Sequence, residues 1–255
     1  MADGLVYLYA IGDAALASAI VVGLVGVGGA PVRVLVGGRL AAVVSSVDPA
    51  EFGEESLPRG LEDLSWVAAT ARAHHRVVDA VWRHHPVAPL RLATVYLDDV
   101  GVRALLEAKE GAFAAVLDRI RGREEWSVKA FAAPGSDSEP DENGGDSRRG
   151  PGAAYLRRRR AARERASRAR QAAYEAAEDL HRTLSAAASA NSRYPPQDPR
   201  LSGHPDDMVL NAAYLVDAKR STSFRSAVDN WHSPLLQVTL SGPWAPYSFA
   251  SLEES

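Results

Sequence analysis

Between Ser136 and Gly152 the chain (SDSEPDENGGDSRRGPG) carries no large apolar residue and is dense in glycine, serine, proline and charge. Such a segment has nothing to bury against the entropy of ordering itself, so it is expected to stay disordered. Ala154 to Ala190, which follows, is rich in alanine and arginine and strongly helix-forming. Its apolar seam (Ala166, Ala169, Ala173, Ala177, Leu180, Leu184, Ala187) is thin, so the helix is expected to lie along one narrow stripe of a domain or partner. Pro195, Pro196 and Pro199 are expected to end it. The stretch 134–205 is thus an insertion, and the core must come from what precedes and follows it.

What precedes it begins with Leu5 to Ile11 (LVYLYAI), a buried strand by its β-branched and aromatic content. Asp13 is placed to cap a short helix over Ala14 to Val21, and a glycine-rich loop follows. No charge occurs between Asp13 and Arg33. The almost wholly apolar part, Ala14 to Ala30, is shorter than the roughly 20 residues of a membrane span. It is interrupted by Gly23, Gly26, Gly28 and Gly29 and has no basic region ahead of it, so neither a span nor a signal peptide is expected. Val32 to Val36 and Leu40 to Val47 make a hairpin around Gly37-Gly38. Asp48 to Gly60 reads as loop, and Leu61 to His85 as an amphipathic helix with Leu61, Leu64, Ala68, Ala71, Val78 and Trp82 on its apolar face.

Pro86 and Pro89 suggest a domain boundary, giving domains 1–86 and 87–255. In the second, Leu90 to Tyr96 reads as a strand. Asp98 or Asp99 caps a helix burying Val102, Leu105, Leu106, Phe113, Leu117 and Ile120, and Gly122 closes it. Trp126 to Ala132, Met208 to Val216 and Leu235 to Leu240 read as strands, with a short helix at Phe224, Val228 and Trp231. The expected fold class is α+β with two domains, the second a modified ferredoxin-like β-α-β-β-α-β unit with a long helical insertion.

The composition excludes some chemistry outright. Among 255 residues there is no cysteine, so disulfides, thiolate metal sites and cysteine nucleophiles are absent, and a reducing compartment fits. A formal charge of −3 argues against a surface built throughout for nucleic acid. The glycine cluster at 23–29 follows an expected helix and precedes a strand, the reverse of a dinucleotide fingerprint, and lacks a phosphate-loop lysine. The pairs His74-His75 and His84-His85 lie about 16 Å apart along a helix, too far to share a metal, and read as surface. No Gly-X-Ser-X-Gly occurs, and the acid pairs Asp98-Asp99 and Asp206-Asp207 sit at cap and turn positions. No catalytic, cofactor-binding or metal residue is assigned. The strongest local signal lies between Tyr155 and Arg170, with eight arginines and one glutamate. It reads as a solvated face, an acidic protein surface's counterpart, or a phosphate binder. Arg157, Arg158, Arg159 and Arg160 are its candidate partner-binding residues.

Six segments in order resemble one family: Leu5-Val-Tyr-Leu-Tyr-Ala-Ile-Gly12, Val87-Ala-Pro-Leu-Arg-Leu-Ala-Thr-Val-Tyr96, Trp126-Ser-Val-Lys129, Gly152-Ala-Ala-Tyr-Leu156, Asn211-Ala-Ala-Tyr-Leu-Val216 and Gly242-Pro-Trp-Ala-Pro-Tyr-Ser-Phe249. Together they are similar to the GvpL/GvpF family of gas vesicle proteins. The chain has Leu92-Ala93 where that family usually has Phe-Gly, and Ala245-Pro246 where it often has Pro-Pro. The resemblance implies two α+β domains and a non-catalytic, accessory or minor structural role in building gas-filled protein shells. It implies contact with the small hydrophobic shell protein and other accessory proteins, no nucleic acid or membrane partner, no cofactor, and a cytoplasmic place beside the vesicle. A shell subunit with a large apolar face needs something to cover or nucleate it. The rivals are a cryptic ligand-binding or catalytic α+β protein and an arginine-helix adaptor for nucleic acid.

Overall fold

The computed structural model describes residues 4–133, 151–197 and 207–252, with side chains from residue 155 onward in the middle segment. The expectation of disorder over 136–152 lies outside the described residues except at its end, where Pro151 and Gly152 already belong to a helix. The described residues form a mixed α/β protein with two antiparallel sheets.

By contacts the chain divides into 1–125 with 243–255, and 126–242. The expected cut at 86/87 falls inside the first unit. There β1 (Leu5–Asp13) pairs antiparallel with β3 (Leu40–Val47) and with β4 (Val87–Pro89), and β2 (Val32–Gly37) pairs with β3. Pro86 and Pro89 therefore bracket β4, the outer strand of a sheet in the order β2-β3-β1-β4 that lies within this unit. The hairpin forms as its glycines demand, with Gly37 opposite Leu40 and Gly38 at φ 59. β1 is buried from Val6 to Gly12, so it reads as an unbroken apolar run rather than an alternation. A register shift between Leu8 and Ala10 leaves Tyr9 as the bulged residue, so Tyr7, Tyr9 and Ala10 all join one core.

Several local expectations change here. Asp13 ends β1 instead of capping an α-helix, and only a 3₁₀ turn, Ser18–Val21, follows. The segment after β3 holds two short helices, α1 (Pro49–Phe52) and α2 (Leu57–Glu62), because Asp48 caps the first with Pro49 at its start and Phe52 is buried. The long helix α3 runs Leu64–Trp82, and its buried residues are Thr70, Ala73, His74, Val77, Val78 and Val81. Leu61 and Leu64 are exposed, so the apolar face is turned from the one periodicity suggested. Beyond β4, the expected strand 90–96 shrinks to β5 (Val95–Tyr96), which pairs with β1. Asp98 caps α4 (Asp99–Ala108) through the Gly101 N–H, and α5 (Glu110–Ile120) follows after a break at Lys109.

The second unit holds the rest. β6 (Arg123–Ala132) precedes α6 (Pro151–Ala187), and a strand unforeseen in the sequence, β7 (Ala190–Arg193), follows before the prolines. β8 (Met208–Asp217), α7 (Ser221–Asp229) and β9 (Leu236–Trp244) complete a sheet in the order β7-β8-β6-β9. A β-α-β-β-α-β run is present, but not the one expected: it starts at β6, and the supposed insertion helix is its first helix. The two sheets share one connectivity, second-third-first-fourth strand. Among the described residues no helix is long and apolar enough to cross a membrane.

Candidate functional site

Helix α6 has two halves of opposite character. Ala173, Ala177, Leu180 and Leu184 are buried in the second unit's core with Trp126, Tyr214 and Phe224. Every residue from Tyr155 to Gln171 is exposed. The seam expected to run the helix's length therefore closes only over its second half; Ala166 and Ala169 lie in water. At about 1.5 Å per residue, the exposed part is roughly 25 Å of helix. It carries all eight arginines, including Arg157, Arg158, Arg159 and Arg160.

The arginines do not form one stripe. Stepping about 100° per residue puts Arg157, Arg158, Arg165 and Arg168 on one side and Arg159, Arg160, Arg163 and Arg170 on the other. The alanine line Ala162, Ala166, Ala169 runs between the two rows. Among the described residues, ion pairs form for Arg160 with Glu164 at 2.9 Å and Arg170 with Asp207 at 2.7 Å. Arg159 and Arg163 are like charges at i and i+4, a destabilising spacing. What this half of α6 can do chemically is present planar guanidinium donors, which suit carboxylates.

The histidines divide. His74 is 4% exposed, not at the surface, and its Nδ1 lies 3.1 Å from the Tyr7 hydroxyl. That hydroxyl accepts the Ala93 N–H at 2.9 Å. Next to it Tyr9 accepts the Val27 N–H at 2.7 Å and meets the Ser45 hydroxyl at 2.7 Å. Burial, with His75 alongside, lowers the His74 pKa to about 4, so the ring is neutral near neutral pH. Burial likewise raises the Tyr7, Tyr9 and Tyr247 hydroxyls, which stay protonated. The network is sealed and ties β1 to the glycine loop, α3 and the segment before β5. His85 pairs with Asp13 at 3.0 Å, and Asp13 also meets Arg121, whose hydrogen bond with those from Ala15 and His85 outweighs desolvation and lowers the carboxyl's pKa. His84 is exposed, and among the described residues no three His, Cys, Asp or Glu converge as a metal would need.

Other sequence candidates fall into structural places. A Cβ on Gly26 would lie 2.2 Å from the Tyr9 hydroxyl, so that glycine serves packing. The Val27 N–H beside it is already taken by Tyr9. Asp99 holds Arg33 in a two-pronged pair at 2.7 and 3.0 Å. Among the terminal aromatics, Tyr247 packs on the first unit's core and lies tilted against His75, which Trp244 meets edge-on. Glu125, buried and raised in pKa by desolvation against its hydrogen bonds, fastens this tail through the Ser248 N–H at 2.8 Å and hydroxyl at 2.6 Å. Sequence reasoning missed His74 and Glu125. For His74 a signal existed, because Thr70, Ala73, His74, Val77, Val78 and Val81 are themselves helically spaced.

The model for the family described as gas vesicle synthesis protein GvpL/GvpF matches residues 5–251. The chain is 44% identical to gas vesicle protein L of Streptomyces sp. (strain CB03234), over 99% of this chain and 95% of that one. It is 24% identical to gas vesicle protein F1 of Halobacterium salinarum, over 84% and 78%. Its fold is similar to the crystal structure of GvpF from Anabaena sp. PCC7120, with a TM-score of 0.68, 18% identity and 98% of both chains covered.

Proposed function

The chain belongs to the GvpL/GvpF family of gas vesicle synthesis proteins, and from that premise we propose that it is an accessory or minor structural component that helps assemble the vesicle shell. It does so by binding the shell protein and other accessory proteins, in the cytoplasm, without catalysing a reaction. The β6-to-β9 run is read as its modified ferredoxin-like domain.

On this chain itself, the free half of α6 carries the reading. A helical segment of this length without tertiary packing is marginal in water. Here it also holds repelling guanidinium groups, and the described residues neutralise only some of them. A carboxylate-bearing partner surface supplies what the helix lacks, and such charge sets association rate and partner choice. Arg157, Arg158, Arg159 and Arg160 are the proposed contacts. Changing all four to glutamine keeps helix propensity. It should weaken capture of the shell protein or a sister accessory protein, most at low ionic strength, where screening is least. Capture unchanged across a salt series would leave the arginines as a solvated face.

A further inference from the structure

Sheet edges invite pairing with other chains, and proteins blunt them with charge, proline or shortness. In this protein the outer strands follow that rule with one exception. β2 carries Arg33, paired to Asp99, and β7 is four residues long and carries Arg193, paired to Glu178. β4 is three residues long and ends in Pro89. Among the described residues β9 is the outermost strand of its sheet and nine residues long; Pro243 comes only near its end, and the seven residues from Leu236 to Gly242 hold neither charge nor proline. Gln237, Thr239 and Ser241 are exposed on one face. On the other, Leu236, Val238 and Leu240 line an open groove of ≈ 690 Å³ with Val228 and Trp231, and Asp229 and His232 make its far wall polar. Among the described residues an unpaired edge and a groove with an aliphatic wall thus lie side by side in the second unit.

We propose that β9 is the interface for a second copy of this chain, paired edge to edge and antiparallel about a two-fold axis at Thr239. The strand's own pattern selects that occupant. Pairing about Thr239 sets Thr239 against its counterpart, Val238 against Leu240, Gln237 against Ser241, and Leu236 against Gly242. Every pair joins like with like in polarity and no charge meets a like charge, which is what a self-complementary two-fold contact requires. Antiparallel pairing keeps Val238 and Leu240 of both copies on the groove face. Each copy's aliphatic side chains then cover the other's groove beside Trp231. The two sheets become one, and the unguarded edge disappears. The inference rests on β9 and the groove, and stands apart from the arginine helix.

Sedimentation of the full chain over a wide concentration range tests it. The wild type should self-associate, and Thr239→Asp and Thr239→Lys should each weaken association at least about tenfold, because like charges then face each other across the axis. An equimolar mixture of the two variants should associate again, now as a heterodimer. Thr239 is exposed, so at concentrations low enough to keep the wild type monomeric both variants should unfold close to its midpoint. Hydrogen exchange in the wild type supplies a second measurement: the β9 amides should slow as concentration rises. A wild type that stays monomeric throughout overturns the proposal, as does a β9 protected only by a purified shell or accessory protein. So does a dimer that neither variant weakens, with β9 exchange independent of concentration.

Discussion

His74 should make the first unit acid-sensitive in a window that its carboxylates do not set. Folding lowers its pKa from about 6.5 to about 4, chiefly by burial, so the unfolded chain takes up the proton first as pH falls. A folded pKa below the unfolded one means the contribution is fully present above about pH 6.5 and is lost as pH falls toward 4. Between pH 7.5 and 4.5 the linkage amounts to roughly 2–3 kcal/mol, most of what is available at still lower pH. His74→Gln removes the titration while keeping a polar group beside Tyr7. The assay is urea denaturation at a series of pH values, with hydrogen exchange in β1 reporting the first unit alone. The wild type should lose roughly 2–3 kcal/mol more than the variant over that range. Parallel pH profiles would refute the reasoning, and would mean that the imidazole is solvated or protonated in the folded state.

Ala93 has φ 61, a left-handed conformation that costs alanine about 1–2 kcal/mol. Ala93→Gly should therefore stabilise the protein by roughly 0.5–1 kcal/mol after glycine's own entropy cost, read as a rise of about 2 °C in melting temperature. Gly26→Ala should destabilise by about 2–3 kcal/mol, because the new methyl displaces the Tyr9 hydroxyl from the Val27 N–H. In a Tyr9→Phe background the same change should cost clearly less, and equal costs in both backgrounds would show that the clash lies elsewhere.

Local signals were legible where the chain decides its own geometry. The β1 run, the Gly37-Gly38 hairpin, the Asp98 cap and the helical character of the arginine segment all form from neighbours in sequence. The turned face of α3 shows the limit of periodicity. Leu61, Leu64 and Trp82 share one helical spacing, and Thr70, Ala73, Val77 and Val81 share another. Only the sheet against which the helix lies chooses between them, and that sheet prefers small and β-branched residues over its tyrosines. A histidine on the chosen face becomes buried, because Tyr7 gives its Nδ1 a hydrogen-bonding partner. The seam of α6 failed for a related reason: alanine at Ala166 and Ala169 marks a stripe that could pack, and says nothing about whether a surface reaches it.

The boundary expected at Pro86 and Pro89 differs from the observed division for two local reasons. The prolines flank and end a short strand of the first unit's sheet, and the segment 90–96 has the composition of a first strand for a following domain. In the structure Thr94 turns back to Arg91 and Ala93 sits at positive φ, so only Val95 and Tyr96 pair, and they pair with β1. The Ala93 N–H goes to the Tyr7 hydroxyl instead of a ladder. An alanine gives no warning of such a turn, since its side chain disfavours that conformation. A glycine at the same place, as in the Phe-Gly of the family pattern, is a sequence signal for a break in the strand. With that strand removed, the β-α-β-β-α-β order could be completed only by taking α6 as its first helix. The half of α6 that packs beside β8 is thus a necessary part of the fold, while the arginine-bearing half packs on nothing among the described residues.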